Sequence, residues 1–159
     1  MKLTRVLVPL DGSALAEAAV SVAVGLLGDR PVSTLVLIRA VDPRLPGADA
    51  VEAQRDIVRA AEQYLAQVAA RLERPGVTVK TAVWYGPPAA SIVAAADAAG
   101  ADMIVMTTHG RGGLGRLVLG SVAEAVLRAT RRPLLLVRDA GAPVETLAGT
   151  EKAAQVSGA

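Results

Sequence analysis

The chain has no cysteine and only one histidine. Disulfides, thiolate metal sites and thiol catalysis are therefore excluded, as is the usual zinc cluster built from cysteine and histidine ligands. Phenylalanine is also absent, and the other ring residues are one tryptophan and two tyrosines. A core must then be assembled from valine, leucine, isoleucine, alanine and methionine, which suits buried parallel strands covered by alanine-rich helices. The same scarcity removes the stacking platform that single-stranded nucleic acid requires. The net charge is only +2 and the arginines are spread along the chain, so they read as a solvated surface and no nucleic-acid partner is expected. Long apolar runs are missing too. The N-terminal stretch at residues 6–10 is far too short for a signal peptide or a membrane span, so a cytoplasmic protein with no membrane partner is expected.

What is present is enough for one domain. With 159 residues, 52% of them hydrophobic, the chain can bury a sizeable core. Residues 5–10 read as a short buried strand, ended by Asp11-Gly12-Ser13. Helical spacing follows over 14–27, with Leu15, Ala18, Ala19, Val22 and Leu26 as the expected inner face, Ser13 as the N-cap and Gly28 as the stop. A second strand is expected over 32–41 and a loop over 42–50. A long amphipathic helix over 51–72 carries Ile57, Ala61, Tyr64, Leu65, Val68 and Leu72 on one face. Strands over 77–84, 102–107 and 133–137 and helices over 89–99 and 121–130 complete the pattern. Residues 139–159 are small and polar without a sustained apolar face, and read as a mobile tail after a domain over 1–138. Strict alternation of strand and helix predicts an α/β fold, a doubly wound five-stranded parallel sheet in the order 3-2-1-4-5 with helices on both faces.

Between the fourth strand and the last helix lie Gly110, Gly112, Gly113, Gly115 and Gly120, followed by Ser121. Glycine costs order, so such a cluster either makes a loose connection or lets backbone amides approach a phosphate. Gly110, Gly112 and Gly115 match the dinucleotide fingerprint G-x-G-x-x-G, and Asp139 stands where a ribose acid is sought. That motif, however, comes early in its fold, and here only one strand follows. Gly115 to Gly120 has the spacing of a P-loop, but Ser121 stands where the lysine is required and Val122 offers no hydroxyl to magnesium.

A third pattern covers far more of the chain. VLVPLDGS at 6–13, DMIVMTTHGRGGL at 102–114, LGSVAEAVL at 119–127 and RPLLLVR at 132–138 follow one another in a five-strand α/β sequence. Over residues 3–138 the chain resembles the universal stress proteins. The nucleotide-binding branch of that family carries G-x2-G-x9-G-[ST]. Gly110 is here the second glycine, Gly120 and Ser121 close the motif, and Thr107 occupies the first glycine position, a departure that keeps a hydroxyl but restricts the backbone.

The resemblance implies an ATP site at the C-terminal edge of the strands, between the first and the fourth. The sequence agrees independently, because open α/β sheets bind ligands where the winding reverses. By resemblance, Pro9 and Leu10 shape the wall, Asp11 accepts from ribose hydroxyls, and the Val41 backbone bonds adenine. Gly110 and Gly120 admit backbone amides to the phosphates, Gly112 and Gly113 relax the loop, and Ser121 and Val122 open the last helix against them. Asp11 has an alternative reading as an N-cap or turn residue. Ser121, with Glu124 three residues on, has the form of a capping box, which is compatible with a phosphate contact because a helix N-terminus is itself an anion site. Arg111 and Arg116 either add charge to the phosphates or stay in solvent, and His109 reads as a turn residue.

The loop lacks a lysine, and Asp102 and Glu124 have structural readings at a strand start and a cap, so at most weak ATP hydrolysis is expected. Magnesium, if bound, would be held mainly through the phosphates. The expected role is an ATP-binding protein of stress response that regulates a still unidentified protein partner and forms a homodimer through its leucine-rich last strand. A slow ATPase and a non-nucleotide interaction module of the same fold are the alternatives.

Overall fold

A computed structural model describes residues 3–28, 32–42, 50–72, 75–108 and 119–138. The tail at 139–159 and loop residues 109–118, among them His109, Gly110, Arg111, Gly112, Gly113 and Arg116, lie outside the described residues. Among the described residues nine elements alternate in chain order: β1 (Arg5–Pro9), α1 (Ala14–Leu27), β2 (Ser33–Val41), α2 (Ala50–Ala70), β3 (Val77–Tyr85), α3 (Pro88–Ala98), β4 (Met103–Thr108), α4 (Ser121–Ala129) and β5 (Leu134–Arg138). Each of them lies within two residues of its position expected from sequence at either end. The five strands form one parallel sheet in the order β3-β2-β1-β4-β5.

The sheet has two buried faces. Leu35 and Leu37 of β2, Val6 and Val8 of β1 and Val105 of β4 pack with α1 and with Leu65 and Val68 of α2. Their neighbours of opposite parity, Leu7, Val36, Ile38 and Ile104, pack with Ile92, Ala95 and Ala96 of α3 and with Ala123 and Val126 of α4. The central strands β1, β2 and β4 are apolar at consecutive positions because both of their faces are covered. No helix among the described residues is long and apolar enough to cross a membrane.

One detail departs from the sequence expectation. The buried stripe of α1 is Ala16, Ala19, Val20, Ala23 and Leu27, whereas Ala18 and Leu26 are exposed. α1 is apolar on nearly every side, so its periodicity defines no single inner face, and the sheet chose the stripe. α2 carries charge on its outer side, and there Ala61, Leu65 and Val68 are buried as expected. The caps of α1 also form as expected. The Ser13 hydroxyl accepts from the Ala16 amide at 3.1 Å, and Gly28 closes the helix at φ +59°.

The N-terminal edge of the sheet is fastened by Asp102. One of its carboxylate oxygens accepts from the Thr4 amide at 2.8 Å, the Arg5 amide at 2.8 Å and the Thr4 hydroxyl at 3.0 Å. Burial would raise its pKa, but these bonds and the nearby Arg5 charge hold it below the ordinary carboxylate value. Asp102 is thus a clasp between β1 and β4, at the opposite end of the sheet from the candidate site.

Candidate functional site

The crevice starts at a proline. Along β1 the even residues address β2, as the Leu10 amide does when it donates to the Ile38 carbonyl at 2.8 Å. The odd residues address β4, as the Arg5 carbonyl does when it accepts from Asp102. Pro9 falls in the odd set and has no N–H to give. β1 pairs with β2 over its full length, from Arg5 with Thr34 to Pro9 with Ile38, but with β4 only at Val6 with Met103 and Leu7 with Ile104. The two central strands therefore part towards their C-terminal ends. This is also where the winding reverses, since β2 and β3 lie to one side of β1 and β4 and β5 to the other.

A cleft of about 380 Å³ opens there, within the size range of small-molecule sites. Pro9, Leu10 and Asp11 form the wall from β1, and Met106 and Thr107 the wall from β4. Gly120, Ser121, Val122 and Ala123 close it at the start of α4, while Ala16, Ala40, Pro88 and Ile92 complete the lining. The wall is mostly apolar, and Asp11 is its one charged residue among those described. One Asp11 carboxylate oxygen accepts from the Ser13 amide at 2.8 Å, the local bond of an Asx turn. Asp11 thus both shapes its turn and lines the cleft.

The start of α4 differs from the capping box expected from sequence. Gly120 is the N-cap, with no side-chain cap bond, and Ser121 is the first helical residue. Glu124 then stands one position too far along to reach back, and it pairs instead with Arg128 at 2.5 Å. Ser121 is exposed, and among the described residues its hydroxyl has no hydrogen-bond partner. The first amides of α4 likewise lack intrahelical partners. Thr107, at the first glycine position of the motif, is only 8% exposed and borders the cleft.

Of the site residues expected from sequence, Pro9, Leu10, Asp11, Thr107, Gly120, Ser121 and Val122 are brought together around one cleft. Val41 is not part of that wall. It is buried, its carbonyl accepts from the Gly86 amide at 2.9 Å, and Ala40 is the β2 residue that faces the cleft. Sequence reasoning missed Ala16, Ala40, Pro88, Ile92, Met106 and Ala123. These apolar residues carry no chemical signature, and only their convergence marks them.

Residues 2–138 match the model of the universal stress protein family. The chain belongs to that family. Among universal stress proteins it is similar to Rv2005c of Mycobacterium tuberculosis, at 38% identity over 138 residues, 84% of this chain and 45% of the relative. It is also similar to MJ0531 of Methanocaldococcus jannaschii, at 31% identity over 84% of this chain and 81% of that one. The chain thus spans a little under half the length of the mycobacterial relative. Among solved structures it resembles that of the protein MJ0577, with a TM-score of 0.76 and 26% identity over 87% of this chain and 98% of that one. More distant universal stress proteins share the fold. One was solved in complex with cAMP, at 23% identity and a TM-score of 0.56, and one from Arabidopsis thaliana with AMP bound, at 11% and 0.58.

Proposed function

We propose that the cleft binds an adenine nucleotide, ATP in the first instance, and that the protein acts by binding and by regulating a partner in stress response. The observation that carries this reading is the convergence of Asp11, Thr107 and the Gly120–Ser121 helix start on one apolar cleft at the winding reversal. The apolar walls suit a base, and Asp11 is placed to accept from ribose hydroxyls. The unpartnered amides at the start of α4, with the Ser121 hydroxyl, suit a phosphate, because a helix N-terminus favours an anion. In this reading Gly110, Arg111, Gly112 and Gly113 complete the phosphate loop. The cAMP- and AMP-bound relatives support a nucleotide of this class.

Magnesium fits only as a companion of the phosphates, since Asp11 is the sole carboxylate among the described lining residues. ATP turnover is correspondingly weak or nil. Dimerisation through β5 belongs to the same reading, and a partner protein reads the nucleotide-ordered face of that dimer.

Thermal unfolding with ATP, ADP, AMP and cyclic AMP tests the proposal. A ligand of the native state raises the melting temperature by mass action, by roughly the equivalent of 2.7 kcal/mol at a hundred times its dissociation constant. A concentration-dependent rise with ATP is expected. If none of the four shifts the transition, the interaction-module alternative replaces this reading.

A further inference from the structure

Beside the cleft, on the α1–α2 face of the sheet, stands a polar cluster that no ligand contact accounts for. Arg39 of β2 has the parity of Leu35 and Leu37 and so projects among the helices. Its guanidinium lies over the Tyr64 ring of α2, 5.2 Å from the ring centre. The Tyr64 hydroxyl donates to one carboxylate oxygen of Glu17 at 3.1 Å, and Arg71 donates to the other at 2.7 Å. The ring is thereby tied to α1 as well as to α2, which makes it a fixed platform.

The other neighbour of Arg39 is the turn that carries Asp11. Gly12 has φ +92°, and a Cβ built on it would lie 3.3 Å from Nη1, 3.4 Å from Nη2 and 3.5 Å from Cζ of Arg39. The near-equal distances put the whole head group against the turn. Two physical demands for glycine therefore meet at position 12, the backbone angle and the guanidinium beside it. Burial, the Glu17 hydrogen bond and then the Glu17 and Asp11 charges raise the Tyr64 pKa to about 12, with Arg39 opposing, so these groups share one local field.

Resting on the nucleotide reading above, we propose that Arg39 is a positioning residue for ribose recognition: stacked on Tyr64 and packed against Gly12, it holds the β1–α1 turn so that the Asp11 carboxylate meets the ribose hydroxyls. The nucleotide itself does not need to touch Arg39. A cation–aromatic contact braces a turn in a way that an aliphatic side chain does not, because a planar charged group can contact the ring and the turn together.

The test compares the dissociation constants of ATP and 2′,3′-dideoxyATP by calorimetry. A carboxylate accepting from ribose hydroxyls discriminates by about tenfold or more. In the parent protein that preference for ATP is expected. In Arg39→Met it should fall to about twofold or less, as in Asp11→Ala, while dideoxyATP binds as before. Arg39→Lys, which keeps a cation over the ring, should recover part of the preference. Combining Arg39→Met with Asp11→Ala should add nothing further. Ligand-free melting monitors folding, and if Arg39→Met does not fold, Tyr64→Leu is read in its place, with the same loss expected. Full ribose discrimination in a folded variant lacking either Arg39 or the Tyr64 ring would overturn this role alone. A parent that binds neither nucleotide would overturn the underlying reading as well, and a parent that binds both equally would remove Asp11 from ribose recognition.

Discussion

At the scale of single residues, two aspartates at opposite ends of neighbouring strands serve different ends. Asp11 follows β1 and faces the cleft, while Asp102 precedes β4 and gathers the Thr4 and Arg5 amides and the Thr4 hydroxyl. Replacing Asp102 by alanine leaves three donors without their acceptor, and a cost of about 3 kcal/mol is expected in chemical denaturation. Asp102→Asn keeps an oxygen but loses the charge, so its cost should be smaller and pH-dependent. The folded pKa of Asp102 is depressed, so the contribution of the charge is complete above the unfolded value of roughly 3.9 and is lost as pH falls through the folded value. Parent and Asp102→Asn should therefore differ most near neutral pH and converge below about pH 4. A constant difference from pH 7 down to pH 2 would show that the charge contributes nothing. Gly120 makes a contrasting case. Its backbone, φ −57° and ψ 147°, is open to any residue, so Gly120→Val should fold, with a loss of about 1 kcal/mol from the poorer N-cap. The added branch would stand at the helix start that lines the cleft. Calorimetry beside circular dichroism should find a folded protein that no longer binds ATP, and unchanged affinity would remove this helix start from the phosphate site.

At the scale of elements, the two edges of the sheet are unlike. β3 exposes Lys80 and Thr81 and so carries charge along its edge, a common guard against pairing. β5 is Leu-Leu-Leu-Val-Arg, its four apolar residues only half-buried, and it pairs with β4 on one side alone. An apolar edge of this kind suits two-fold pairing with its own copy. Sedimentation at micromolar concentration should therefore show a dimer, and Leu135→Lys or Val137→Lys should shift it to monomer with the helical circular dichroism retained. A parent that sediments only as monomer would contradict the dimer. The two variants have partly buried stems against the α1 side of the core, so their melting should be followed in parallel.

For the molecule as a whole, the proposed function is nucleotide binding with weak or no turnover. Among the described residues the cleft sits where the winding reverses, with apolar walls, two helix starts and one carboxylate. Efficient phosphoryl transfer requires a metal site, a cation on the leaving phosphate and a group that orients water. A single-turnover assay with radiolabelled ATP and magnesium should show no hydrolysis that depends on His109. Multiple turnovers per minute that vanish in His109→Ala would move the protein among the enzymes. The alternation of strand and helix, the turn at Asp11 and the helix start near Ser121 were all legible in the sequence. They depend on local signals, namely runs of apolar residues, caps, glycines and the prolines that end pairing. The inner stripe of α1 was not legible, because a helix apolar all round carries no mark of which side meets the sheet. Nor was the exchange of roles between Gly120 and Ser121, since one residue of shift in the helix start decides which of them caps. Ala16, Ala40, Pro88, Ile92, Met106 and Ala123 came to line one cleft only when five separate elements converged. The placement of Arg39 between Tyr64 and Gly12 was likewise decided by tertiary structure, for those residues are distant in the chain and meet only because β2 lies beside β1 with α2 packed across it. Sequence by itself determined the elements and their order, because these follow from short-range periodicity and backbone chemistry. The cleft's walls and the brace behind Asp11 are contacts between remote segments, and such contacts exist only once the sheet has been assembled.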